Sequence, residues 1–242
     1  MADILLVHGS CHGAWCWRDL IPALTAYGHT VRTIDLPGHG DGRSPADVSL
    51  DDSCRAVAAQ ITPDTIVVGH SWAGFPITGA VAHACPRGLI YLCAYVPISG
   101  MSLIDMRRAG PRQTIGSAAV KSEDGHSYTI HPDAAPELFY HDCPPDAVSF
   151  ALDHICPQPI RPQATPLTVP DRWSSLPKHY IRCTQDRTIP PEYQASMTAD
   201  WPDAQVHVLD SAHSPFFAAP GPLARLIDQI TANIPDPSEP RR

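Results

Sequence analysis

The run Thr65-Ile66-Val67-Val68-Gly69-His70-Ser71-Trp72-Ala73-Gly74 sets one serine between a β-branched apolar stretch and a segment of helical patterning. A serine hydroxyl becomes a useful nucleophile only when a base takes its proton and a fixed geometry presents it. A sharp strand-to-helix turn supplies that geometry, provided the neighbouring residues are small enough for strand and helix to approach closely. Gly69 meets the requirement. The fifth position of the string is Ala73 rather than glycine, with Gly74 directly after it. Serine is also favoured as a helix N-cap, so the string alone leaves a purely structural Ser71 open.

Three further features weigh towards chemistry. His8-Gly9-Ser10-Cys11-His12-Gly13-Ala14-Trp15 follows the first apolar run. A His-Gly step there, with the amide of Ser10, pairs with the amide of Trp72 to offer two donors to a developing oxyanion. Asp186, in Cys183-Thr184-Gln185-Asp186-Arg187, closes the strand beginning near His179. Functional groups gather at that carboxyl edge in open α/β sheets. Of the 13 histidines, His213 alone follows the last strand and precedes the last helix. Its Nε2 is placed to take the Ser71 proton, and Asp186 to fix the tautomer through Nδ1–H. His207 falls within that strand. His70 is expected to point away from the nucleophile, and His12 to border the pocket or lie in a solvated loop.

The elements that must position these residues alternate along the chain. Strands are expected at Ile4–Val7, Thr30–Ile34, Thr65–Val68, Leu89–Cys93, His179–Arg182 and Gln205–Leu209. Most read as near-continuous apolar runs, as in strands covered on both faces. Helices are expected near Trp17–Tyr27, Leu50–Gln60, Ala73–Ala84, Pro191–Ala199 and Pro222–Ile230. The pattern predicts an α/β fold, a mainly parallel sheet of about six strands with helices on both faces. Residues 97–177 break the rhythm and hold 12 of the 27 prolines. This stretch is expected to be a cap inserted into a core made of residues 1–96 and 178–242. Short helices are expected at Pro136–Tyr140 and Asp146–Ile155, and its aromatic residues argue against a disordered loop. Phe139, Tyr140, Phe150 and Trp173, with Gly9 and His12, are the candidate pocket lining. The tail Pro235–Arg242 is expected to fray.

Composition narrows the partners. The 242 residues carry 17 Lys and Arg against 25 Asp and Glu, a net charge of -8, with no basic cluster suited to nucleic acid. No run reaches the roughly 18 apolar residues that span a bilayer, and the first residues lack a basic leader, so a cytoplasmic protein is expected. Eight cysteines are scattered without a C-x-x-C pair. Three fall in His-x-Cys steps, but the spacing is not that of a usual zinc site, and neither metal nor other cofactor is expected.

On these motifs the chain resembles the α/β-hydrolase branch that contains plant methylesterases, hydroxynitrile lyases and bacterial esterase-like relatives. The likeness is strongest in His8-Gly9-x-Cys11-His12-Gly13-Ala14-Trp15, Gly69-His70-Ser71 and Tyr180-Ile181-x-Cys183-Thr184-x-Asp186. Ile189-Pro190 and Ala212-His213 extend it. The resemblance implies an α/β-hydrolase fold, the triad Ser71, Asp186 and His213, and oxyanion donors at Ser10 and Trp72. It implies hydrolysis of a small carboxylic ester, methyl or aryl, and relatives with such caps often form homodimers. The lyases carry a lysine after the triad histidine and a threonine at the position of Gly9. Here Ser214 and Gly9 stand instead, which favours hydrolysis over cyanohydrin or other C–C bond cleavage. A slow-turnover, ligand-binding receptor on the same fold is the remaining alternative.

Overall fold

The computed structural model describes residues 1–236, so the expectation for the last six residues lies outside the described part. Its strands are β1 (Asp3–Val7), β2 (Thr30–Ile34), β3 (Thr65–His70), β4 (Gly88–Leu92), β5 (Ala119–Lys121), β6 (Ser127–Ile130), β7 (Gln158–Pro159), β8 (Lys178–Cys183) and β9 (Val206–Leu209). The helices are α1 (Leu20–Thr25), α2 (Leu50–Ala58), α3 (Gly74–Ala80), α4 (Leu103–Ala109), α5 (Ala135–Phe139), α6 (Pro145–His154), α7 (Ile160–Ala164), α8 (Pro191–Met197), α9 (Pro215–Ala218) and α10 (Pro220–Asn233).

Six strands form one parallel sheet in the order β2-β1-β3-β4-β8-β9. Successive side chains of a strand point to opposite faces, and the core divides accordingly. Ile4, Leu6, Ile66, Val68, Ile90, Leu92 and Ile181 pack with Leu20 and Leu24 of α1 and Leu223 and Ile227 of α10. Leu5, Val7, Val67, Leu89, Tyr91 and Tyr180 pack with Cys54 and Val57 of α2 and Phe75 and Ile77 of α3. Each large aliphatic side chain buried this way contributes about 2 kcal/mol from removal of apolar surface. The central strands are therefore apolar on both faces. The edge strand β2 keeps Thr30, Arg32 and Thr33 partly solvated.

The strand order also locates a crevice. From β1 the chain steps outward to β2, then crosses back to β3 on the other side of β1. Loops leaving the carboxyl ends of β1 and β3 diverge, and in open α/β sheets ligands bind at that reversal. The β1 loop holds Gly9 and Ser10, and the β3 turn holds Ser71.

Between β4 and β8 the chain forms α4 to α7 and a three-stranded antiparallel sheet, β5-β6-β7. The helices expected at Pro136–Tyr140 and Asp146–Ile155 appear as α5 and α6. The small sheet, α4 and α7 are additional. Strands of two to four residues hold too few side chains for an alternating pattern to stand out. Pro159 sits on edge strand β7, where its missing N–H costs no ladder bond. Ile115, Tyr128, Ile130, Phe139 and Ala151 from this region join the α1–α10 side of the core, while Leu103, Met106 and Leu167 join the other. Among the described residues, no helix is long and apolar enough to cross a membrane.

Candidate active site

Ser71 stands at the end of β3 with φ +55°, a left-handed conformation. Holding a serine there costs about 1–3 kcal/mol, which the surrounding packing must offset. The close approach that maintains the turn is visible at its glycines. A Cβ on Gly74 would lie 1.9 Å from the Tyr95 carbonyl oxygen, and one on Gly69 2.7 Å from Ile77 Cδ1. The Tyr95 amide in turn donates to the Ser71 carbonyl at 3.1 Å. The tightest contact falls at Gly74, one residue beyond the usual fifth position, which explains why Ala73 is tolerated there.

The structure brings Ser71, His213 and Asp186 into one hydrogen-bonded chain. Ser71 Oγ lies 3.1 Å from His213 Nε2, and His213 Nδ1 lies 2.8 Å from Asp186 Oδ2. All three side chains are buried. The Asp186 carboxylate is fully committed: Oδ1 accepts the Thr188 and Ile189 amides at 2.7 and 2.9 Å, and Oδ2 also accepts Gln194 Nε2 at 2.9 Å. Since Asp186 is held as an acceptor, His213 Nδ1 donates, and its Nε2 is left to face the serine hydroxyl. Arg187 turns away from Asp186 and pairs with Glu137. Asp186 is thus not a turn residue neutralised by its neighbour.

Two contacts hold the His213 loop from outside that chain. His70 Nε2 donates to the His213 carbonyl at 2.8 Å, the structural role expected of a histidine pointing away from Oγ. Asp142 Oδ2 accepts the Ala212 amide at 2.7 Å and the Ser211 hydroxyl at 3.0 Å. His207 pairs with His179 across β8 and β9, 3.1 Å apart, half-buried on the sheet's edge strand.

On the β1 side, Gly9 lies against Ser71: a Cβ there would be 2.9 Å from Ser71 Cβ and 2.6 Å from His70 Nδ1. Two neutral histidines orient the peptides around Ser10. The Leu36 amide donates to His8 Nε2 at 2.9 Å, so His8 carries its proton on Nδ1 and donates to the Gly9 carbonyl at 2.8 Å. That carbonyl belongs to the same peptide unit as the Ser10 N–H. His12 Nδ1 donates to the Ser10 carbonyl at 2.7 Å, while its Nε2 accepts the Tyr140 hydroxyl at 2.7 Å. Burial drives the His8 and His70 pKa values well below the ordinary histidine range and that of His12 down to about 4, so these rings stay neutral. Neither the Ser10 nor the Trp72 amide donates to a protein acceptor among the described residues.

Of the candidate pocket residues, Gly9, His12, Phe139 and Tyr140 gather here. Phe139 stacks on the His213 ring at 5.8 Å, and His12 stacks on Trp15. Two candidates do not. Phe150 lies under the Arg18 guanidinium and against His154, and Trp173 donates to the Tyr91 hydroxyl at 2.7 Å beside Trp201 and Lys178. Trp173 fills peripheral packing, whereas Phe150 also packs on Trp15 and Phe217, the rings that meet His12 and Tyr140, one layer out from the site. Gln194, Asp142 and His8 were missed as supporting residues. No motif or periodicity in the sequence singles out Gln194, which only the fold shows to be wholly buried on the short helix α8 against Asp186.

His70, Cys93 and His213 bring one metal-ligand atom each within 4.8 Å of one another. Hydrogen bonds already use His70 Nε2 and both His213 nitrogens, and burial raises the Cys93 thiol well above its usual range. The thiolate that a metal requires is therefore disfavoured, and the cluster works as packing behind His213.

Residues 4–226 match the model of the Alpha/beta hydrolase family, and the chain belongs to that family. It is 32% identical to a carbendazim hydrolyzing esterase from Nocardioides sp., over 93% of this chain and 97% of that protein. It is 26% identical to methylesterase 17 of Arabidopsis thaliana, over 95% of this chain and 91% of the relative. Among solved structures, a pyrethroid hydrolase from Sphingobium faniae superposes with a TM-score of 0.81 at 26% identity, covering 96% of this chain and 97% of the other.

Proposed function

We propose that the chain is a serine hydrolase of small carboxylic esters, acting through an acyl-enzyme on Ser71. The observation that carries this reading is the unbroken hydrogen-bond chain from Ser71 through His213 to Asp186, set on a strained turn. His213 Nε2 removes the hydroxyl proton as Ser71 Oγ attacks the ester carbon. The resulting imidazolium is stabilised by Asp186. The oxyanion is received by the amides of Ser10 and Trp72, with His8 holding the Gly9–Ser10 peptide in orientation. His213 then protonates the departing alcohol. It next activates water against the acyl-enzyme, releasing the acid and restoring Ser71.

The same reading assigns residues 97–177 as a cap whose α5 places Phe139 and Tyr140 beside His213 and His12. The relatives' activities, on methyl esters, carbendazim and pyrethroids, support ester cleavage as the chemistry. Eight unpaired cysteines are consistent with a reducing, cytoplasmic setting. Ser214 follows His213 where the lyases have a lysine, which favours hydrolysis over cyanohydrin cleavage. Comparing turnover of p-nitrophenyl acetate and mandelonitrile tests the assignment. The ester is hydrolysed and Ser71→Ala abolishes that turnover; cleavage of mandelonitrile alone would overturn it.

A further inference from the structure

Arg107, on α4, is half-buried. Nε is inaccessible to solvent and has no hydrogen-bond partner, and no carboxylate forms an ion pair with the side chain among the described residues. Its neighbours include the hydroxyls of Tyr95 and Tyr128 and the thiol of Cys11. Burial raises the phenol and thiol pKa values, so these neighbours are neutral and supply no compensating charge. A half-buried cation whose Nε is cut off from water without a partner loses hydration that no neighbouring charge returns, and an anionic ligand would return it.

The neighbours also place Arg107 at the site. The Tyr95 amide donates to the Ser71 carbonyl at 3.1 Å, so Tyr95 backs the nucleophile turn. Tyr128 donates to Gln163 Oε1 at 3.0 Å, and Gln163 Nε2 donates to Ser10 Oγ at 2.7 Å. Tyr95 thus links Arg107 to the Ser71 turn through its own backbone, and Tyr128 links it to Ser10 through Gln163. Asp186, the carboxylate beside His213, is already satisfied by His213, Gln194 and two amides.

We propose that Arg107 is a specificity residue that binds a carboxylate on the substrate, so that the preferred ester carries a second, free acid group, as a half-ester of a dicarboxylic acid does. The planar guanidinium fork matches a carboxylate, and the contact is charge-assisted. This rests on the ester-hydrolase reading for turnover but not for binding.

The experiment has a kinetic arm and a binding arm. In the first, p-nitrophenyl hydrogen glutarate is compared with neutral p-nitrophenyl valerate, and 4-acetoxybenzoate with p-tolyl acetate, to sample both sides of the ester. In the wild type, kcat/KM for at least one acidic ester exceeds its neutral counterpart by about tenfold or more, the scale of one charge-assisted contact. Arg107→Met brings that ratio close to one, and Arg107→Lys retains part of it. Labelling of Ser71 by a fluorophosphonate in each variant reports that the site is folded. In the second arm, calorimetry with glutarate and with benzoate gives a dissociation constant that weakens about tenfold or more in Arg107→Met. Equal ratios in wild type and Arg107→Met, with unchanged binding of both acids, would overturn the proposal. Carboxylate binding that depends on Arg107, together with no ester turnover, would uphold it while removing the hydrolase reading.

Discussion

Asp142 Oδ2 accepts the Ala212 amide at 2.7 Å, tying the segment that follows α5 to the loop that carries His213. The same oxygen holds the Ser211 hydroxyl, and Cys143 Sγ lies 3.8 Å from the Ser214 carbonyl. His213 is therefore clamped on both sides, by this segment and by His70 behind it. Asp142→Ala leaves a partly buried amide unpaired, at a cost of about 1–3 kcal/mol. It also loosens His213, so kcat falls by roughly tenfold or more while KM changes little. Asp142→Asn keeps an acceptor oxygen and recovers most of both losses. Steady-state kinetics and urea unfolding of the two variants check this; equal kcat in Asp142→Ala and wild type would remove the positioning role.

The parts of this architecture that recur along the chain were legible from the residues. Six central strands, and the order Ser71, Asp186, His213 at their carboxyl ends, follow from apolar runs separated by helical patterns and turn residues. The carboxylate that anchors His213 was not legible. Asp142 lies 70 residues from Ala212 in a segment with no periodic signal, and only the folded chain brings them together. Trp173 shows the limit of aromatic content as a guide: aromatic character marks packing, but several regions of the molecule pack aromatic rings. The short strands β5 to β7 carry too few residues for alternation to be seen.

The approach of α3 to Tyr95 predicts a strong asymmetry between two glycines. Gly74→Ala drives a methyl group to 1.9 Å from a backbone oxygen, which cannot move without displacing the residues after β4. Unfolding free energy should fall by more than about 4 kcal/mol, or the protein should fail to fold. Gly69→Ala meets instead the flexible end of Ile77, at 2.7 Å. Its cost should be about 1–3 kcal/mol, as for modest overpacking. Thermal or urea denaturation of both variants decides the order; a reversed order would contradict the packing described.

Burial of neutral histidines makes stability depend on pH with a defined sign. The His12 pKa is held at about 4 by burial, against the ordinary value of 6.5. Between those values the unfolded chain binds a proton at this position and the folded chain does not, so stability falls as the pH falls through that window. The loss begins below about pH 6.5, is complete near pH 4 and amounts to roughly 3 kcal/mol from this residue. His8 and His70 shift in the same direction and add to it. Urea unfolding at several pH values should show this fall in the wild type and a shallower one in His12→Gln. Parallel curves would show that His12 is not held neutral in the folded state.

The central claim is that Ser71 is an activated nucleophile rather than a helix cap, with His213 and Asp186 supplying the activation. Labelling by a fluorophosphonate at neutral pH, followed by mass spectrometry of the labelled peptide, tests it most directly. The account predicts stoichiometric modification confined to Ser71, abolished by Ser71→Ala and slowed by about a hundredfold or more in His213→Ala, the scale on which a general base contributes. An unmodified Ser71, or labelling of equal rate without His213, would contradict it.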